Sequence, residues 1–86
     1  EWTRSRAAVT GIAQVRAHGD ALGEREAART LRKLGHLSER DRWQVQMLAH
    51  TLSRKFQHAP IMALRNARTD EEVERVLATL GLDVES

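Results

Sequence analysis

Apolar residues recur along this chain at the three- and four-residue spacing of a helix, and nowhere hold the two-residue alternation of a strand. Ile12, Val15, Gly19 and Leu22 form a first stripe, which shifts phase into Ala27, Ala28, Leu31 and Leu34. Gly11, Gly19 and Gly23 interrupt it, and each glycine inside a helix costs about 1 kcal/mol relative to alanine. The stretch reads as one long helix or as two broken near Gly19–Gly23. The single helix is preferred, starting near Thr10 after a separate or kinked turn at residues 2–8. A glycine on a stripe can also let a second helix approach closely. Arg32 and Lys33 lie in the last turn, where cations suit the negative end of the helix dipole, and Gly35 follows as the C′ residue.

The next helix has a readable start. The Ser38 hydroxyl can accept from an unpaired backbone N–H, Asp41 three residues on makes an acidic analogue of a capping box, and Leu37 stands before the cap as a staple. The helix is expected from Glu39 to Asn66. Val45, Leu48, Leu52, Phe56 and Ala59 make one apolar stripe, and Trp43 and Met47 make a second that reads as adjacent. So wide a surface exceeds what one neighbouring helix covers. Pro60 predicts a kink around residues 56–60, with the apolar phase resuming at Ile61 and Leu64. A third helix opens at Thr69 or Asp70, carries Asp70, Glu71 and Glu72 in its first turn, buries Val73, Val76, Leu77 and Leu80, and stops at Gly81, leaving Leu82 and Val84 to pack as a tail. Helices near 10–34, 39–66 and 70–80 with short connections predict an all-α fold. The expected architecture is an antiparallel bundle of about three long helices, the central one kinked near Pro60, paired with a second chain. Residues 1–86 form a single domain, and Trp43, Met47, Leu48, Leu52, Phe56, Ile61 and Leu64 are the candidates for its core and dimer interface.

Composition sharpens this picture. A chain of 86 residues, 41% hydrophobic but only 3% aromatic, must build an aliphatic core and buries a smaller share of its surface than a larger domain. There are no cysteines, hence no disulfides, thiol nucleophiles or thiolate metal sites. No apolar run approaches the roughly 20 residues that span a bilayer, and no basic-then-apolar N-terminus marks a signal peptide; with the absence of cysteine, which fits a reducing compartment, the expectation is a cytoplasmic protein with no membrane partner. The chain starts at Glu1 without a methionine, as a fragment of a longer protein would. Residues 1–69 hold 13 of the 14 basic side chains against six acidic ones, whereas 70–86 hold six acids and Arg75. A basic body can attract nucleic acid, so an RNA-binding or adaptor module is the alternative function.

Catalytic chemistry is not visible. His50 and His58 lie two helical turns apart, roughly 11 Å, too far to share one metal. No HExxH, GxGxxG or Walker-type loop occurs, and Ser5, Ser38 and Ser53 have no triad context. No catalytic, cofactor-binding or metal residue is assigned.

One string is distinctive. Lys55, His58, Pro60, Leu64 and Arg65 form a Lys-x-x-His-x-Pro-x-x-x-Leu-Arg pattern, preceded by the Leu31-Arg32-Lys33-Leu34 helix end and the Leu37-Ser38 start, and followed by Leu80-Gly81-Leu82. In these features the chain resembles the C-terminal dimerization domain of glutamyl-tRNA reductases. It departs from that pattern at Thr10-Gly11, where proline is usual, at Arg54, where asparagine is common, and at Glu26-Ala27, where Glu-Leu is usual. The resemblance implies a homodimer within a parent enzyme that uses NADPH to reduce glutamyl-tRNA to glutamate-1-semialdehyde for tetrapyrrole biosynthesis. It also implies that the catalytic and NADPH-binding parts lie outside this chain, so no catalytic residue transfers to it. For Pro60 and His58 the favoured reading is structural: the proline frees carbonyls near residue 56, and Lys55, His58 or water can satisfy them.

Overall fold

A computed structural model describes residues 5–84 and contains three helices, α1 (Arg6–Lys33), α2 (Glu39–Asn66) and α3 (Asp70–Thr79). Each starts on a hydroxyl cap in extended backbone. Ser5 Oγ accepts from the Ala8 amide, Ser38 Oγ from that of Asp41 and Thr69 Oγ1 from that of Glu72, all at 3.1 Å. The Glu72 carboxylate reaches back to the Arg68 amide at 2.7 Å, so α3 has bonds in both directions across its first turn.

The α2 and α3 boundaries follow the sequence signals, while α1 corrects them. It begins at Arg6, not near Thr10, because Ser5 caps a run of good helix formers, Arg6, Ala7 and Ala8. Of the turn expected at residues 2–8, positions 2–4 lie outside the described residues and the rest is cap and helix. α1 runs unbroken past Gly19 and Gly23, since both sit where α2 comes closest. A Cβ on Gly23 would lie 3.2 Å from the Ser53 Cβ, and one on Gly19 only 2.5 Å from Gln57 Nε2. Gly35 does not adopt the left-handed backbone common at a C′ residue. Leu34 ends α1 by donating its amide to the Leu31 carbonyl at 3.1 Å. That conformation is taken instead by Gly81, φ 71°, the only positive φ among the described residues. There the Gly81 amide bonds to Ala78 O and the Leu82 amide to Leu77 O, closing the end of α3. α2 continues through Pro60 to Asn66, so the Phe56 carbonyl lacks its usual helical donor.

α1 and α2 form an antiparallel hairpin in which Gly23 meets Ser53, Gly19 meets Gln57 and Gly11 meets Leu64. α3 folds back on the open end of the hairpin and touches both long helices. The core sits at that end: Ala8, Val15, Ile61, Leu64, Ala67, Val73 and Leu77, with Ile12, Val76 and the tail residues Leu82 and Val84 packed around them. Further along the hairpin, Ala27 and Leu31 are the only buried apolar residues among those described. The result is elongated, 55 × 20 × 16 Å, with a radius of gyration of 16.0 Å where a compact chain of this length has about 12 Å.

Candidate functional site

The line along which the two long helices meet is polar in its middle. Ala49, Ser53 and Gln57, each four residues from the next, turn toward α1. The Ser53 hydroxyl donates to the Gly19 carbonyl at 2.7 Å, and Gln57 Nε2 donates to both Asp20 Oδ1 and Ser53 Oγ at 2.9 Å. Arg54 grips the Asp20 carboxylate with two guanidinium nitrogens, at 3.0 and 3.1 Å. The Gln57 bond, and after it the Arg54 pair, hold the Asp20 carboxyl below its ordinary range. Gln57 is buried, and its Oε1 has no hydrogen-bond partner among the described residues. Sequence reasoning missed both Gln57 and Asp20. The available signal was the pair Ser53 and Gln57, two polar side chains interrupting the stripe of α2 that meets α1.

On one flank of this line lies an apolar groove of about 420 Å³ between Val15 and Leu22 of α1 and Leu52, Phe56 and Pro60 of α2, with Leu80 also in its lining. Phe56, Pro60 and Leu80 also border a second depression that runs between α2 and α3 over Ala59, Ala63 and Val76, so the two are continuous. Phe56 is 80% exposed, and Leu48, Leu52 and Leu22 are about half exposed or more. On the opposite flank, Met47 borders a cleft with Asp20, Ala28 and His50. Trp43 precedes it by one turn and is also exposed.

The expectation that the Trp43–Met47 stripe adjoins the Leu48–Leu52–Phe56 stripe is therefore corrected. At 100° per residue the two lie on either side of the line meeting α1, and on the outer surface they are parted by Gln44, Thr51 and Lys55, all exposed. Of the seven core and interface candidates, Ile61 and Leu64 are buried in the core, and Trp43, Met47, Leu48, Leu52 and Phe56 are exposed.

The Lys55-to-Arg65 string also divides. Leu64 is buried and Pro60 half-buried, while Lys55, His58 and Arg65 are exposed. Among the described residues neither Lys55 nor His58 donates to a freed carbonyl, so the structure does not support their expected part in satisfying the proline break. No group of three or more His, Asp or Glu among the described residues is placed to hold a metal ion. No described helix is long and apolar enough to cross a membrane.

The family model for the glutamyl-tRNAGlu reductase dimerisation domain matches residues 1–81, all three helices included. The chain belongs to this family. It is 32% identical to the glutamyl-tRNA reductase of Carboxydothermus hydrogenoformans and 34% identical to that of Syntrophobacter fumaroxidans. Each match covers 65 residues, 76% of this chain but 14% of the relative. No solved structure matches the chain. In this dimerisation domain both flanks of the hairpin, the apolar groove and the face bearing Arg54 and His58, lie within the matched residues.

Proposed function

We propose that this domain pairs two copies of a glutamyl-tRNA reductase, and that the groove lined by Leu22, Leu52, Phe56 and Leu80 is the surface that meets the second copy. The observation that carries this reading is Phe56: a phenyl ring left 80% exposed beside a continuous apolar groove on a hairpin that has little core of its own. A two-fold interface is isologous, so the groove faces itself and each Phe56 projects into the opposite copy. Seating such a ring is worth roughly 1.5–3 kcal/mol per side chain. In this reading the parent polypeptide supplies the catalytic and NADPH-binding parts. It is a cytoplasmic enzyme that reduces the glutamyl group on its tRNA to the semialdehyde used for tetrapyrrole synthesis, and this domain holds its two copies together.

Sedimentation equilibrium at micromolar concentration tests the pairing. The unaltered chain is expected to be a dimer. Leu52→Asp with Phe56→Asp should give a folded monomer, whereas Met47→Asp, on the other flank, should leave the dimer intact. A monomer at every concentration would sink the proposal, and a dimer abolished only by Met47→Asp would move the interface to the opposite flank. NADPH-dependent reduction of glutamyl-tRNA by the parent polypeptide tests the rest.

A further inference from the structure

On the flank away from the apolar groove, Arg16 of α1 joins Arg54, His58 and Arg65 of α2 around a shallow recess floored by Ile61 and Met62. A second recess shares Arg54 and His58 and adds His50, Thr51 and Lys55. No acidic side chain lines either one. From Arg42 to Thr69 the sequence contains no Asp or Glu at all, so α2 lacks the acids that would pair with these cations four residues away on an ordinary solvated helix. Two carboxylates stand beside this face: Asp20, already engaged by Arg54 and Gln57, and Glu24, which lines the adjoining cleft with His50. Four permanent cations thus stand on a face whose two recesses no carboxylate lines. All three charged or titratable members of the Lys55-to-Arg65 string fall here, on a surface that pairing through the groove leaves uncovered.

The geometry suits an extended anion. Arg54 and Arg65 are eleven residues apart, about 16 Å along the helix, a length over which one strand of a duplex carries on the order of five phosphates. The recesses are open and shallow, unlike an enclosed site for a small anion, and guanidinium forks match phosphate oxygens two at a time. We infer that the face formed by Arg16, Arg54, Lys55, His58 and Arg65 binds an RNA phosphate backbone, on the opposite side of the hairpin from the pairing groove. The choice of RNA rests on the reading of the parent as an enzyme acting on a tRNA; the cationic face does not.

Titration of fluorescently labelled tRNA with the chain tests this. Lys55→Gln with Arg65→Gln is compared with Arg25→Gln plus Arg32→Gln, which removes the same charge from exposed positions outside both recesses. The first pair should weaken binding at least about 10-fold and flatten the dependence of log K on log salt by about 1–2, the slope carried by two phosphate contacts. The second should change affinity less than about 3-fold, with sedimentation confirming a dimer in both. Equal losses in the two variants would mean diffuse net charge and overturn the assignment, as would no loss in the first. Saturable binding to phosphatidylserine vesicles without binding to tRNA would make the face a lipid surface and also overturn it. In the full reductase, Lys55→Gln with Arg65→Gln should raise KM for glutamyl-tRNA several-fold at unchanged kcat. An unchanged KM counts against this face alone, whereas absence of turnover in the unaltered enzyme counts against the reading of the parent.

Discussion

The three-helix end of the molecule and the outer hairpin are made from the same two long helices, yet only the first encloses a core. At the three-helix end α3 covers the hairpin, and Leu64, Val73 and Leu77 are fully buried. Beyond it no third helix lies among the described residues, no residue of α2 from Glu39 to Phe56 is buried, and polar bonds between Asp20, Ser53, Arg54 and Gln57 hold the middle of the seam. The difference shows how a short chain divides its work. One end folds by excluding water from aliphatic side chains. The other keeps its apolar side chains outside, where in the proposed dimer a second copy excludes the water instead.

The largest test of that contrast removes core atoms from each region. Leu64→Ala should cost about 2–5 kcal/mol, because the cavity cannot collapse among Ala8, Val73 and Leu77. Its cost, measured by urea denaturation, should be the same at two protein concentrations 100-fold apart. Leu52→Ala removes the same atoms from an exposed site, so its cost should be small in dilute solution and grow with concentration as dimer is lost. Identical concentration dependence for the two would erase the distinction between the regions.

The seam should respond next most strongly. Gly19→Ala places a methyl 2.5–2.9 Å from three atoms of the Gln57 side chain, which can move only by giving up Asp20 and Ser53. The clash costs about 1–3 kcal/mol against the roughly 1 kcal/mol of helix propensity gained, for a net loss of up to about 2 kcal/mol. Thermal melts should show the net loss. Gly35→Ala, with nothing within 4 Å of the new methyl and no left-handed backbone, should instead be neutral or stabilise by up to about 1 kcal/mol.

The smallest effect is a pH dependence. Because the Asp20 carboxyl titrates lower in the folded chain, its contribution is fully present above the ordinary aspartate value of about 4 and fades as pH falls through the lowered one. Asp20→Asn should flatten the stability profile below about pH 4 in chemical denaturation. The change should be modest, since 42% of the Arg54 side chain remains in solvent and screens the pair. An unchanged profile would mean the seam contributes no charge-dependent stability.

Much of the fold was legible because it is written locally. Ser38, Thr69 and Gly81 mark ends by their own backbone chemistry, and the periodicity between them is unambiguous. The start of α1 was missed because Gly11 and Thr10 lowered the apparent helix propensity just after a sound cap at Ser5. The exposed stripes of α2 were legible residue by residue, but their separation was not, since periodicity gives faces relative to one another and only α1 decides which face is inside. Gln57 was illegible for a related reason. Its burial depends on Gly19 having no side chain, and that pairing exists only once the helices have met.

The same glycine carries a consequence for how the hairpin finds its alignment. Gly19-Asp20 is followed one turn later by Gly23-Glu24, again a residue without a side chain beside a carboxylate. If α1 slid by one turn, about 6 Å, Gly23 would come under Gln57 and Glu24 within reach of Arg54, so the polar seam alone scarcely distinguishes the two registers. Two distant features break the degeneracy. The slide would push Val15 into the place Gly11 keeps open, where a Cβ already lies 3.5 Å from Leu64 and Leu77 methyls. It would also draw residues 34–38 past the start of α2 and dissolve the Ser38 cap. The seam therefore acts as a ratchet with at least two teeth, and the core at one end and the turn at the other select which tooth engages.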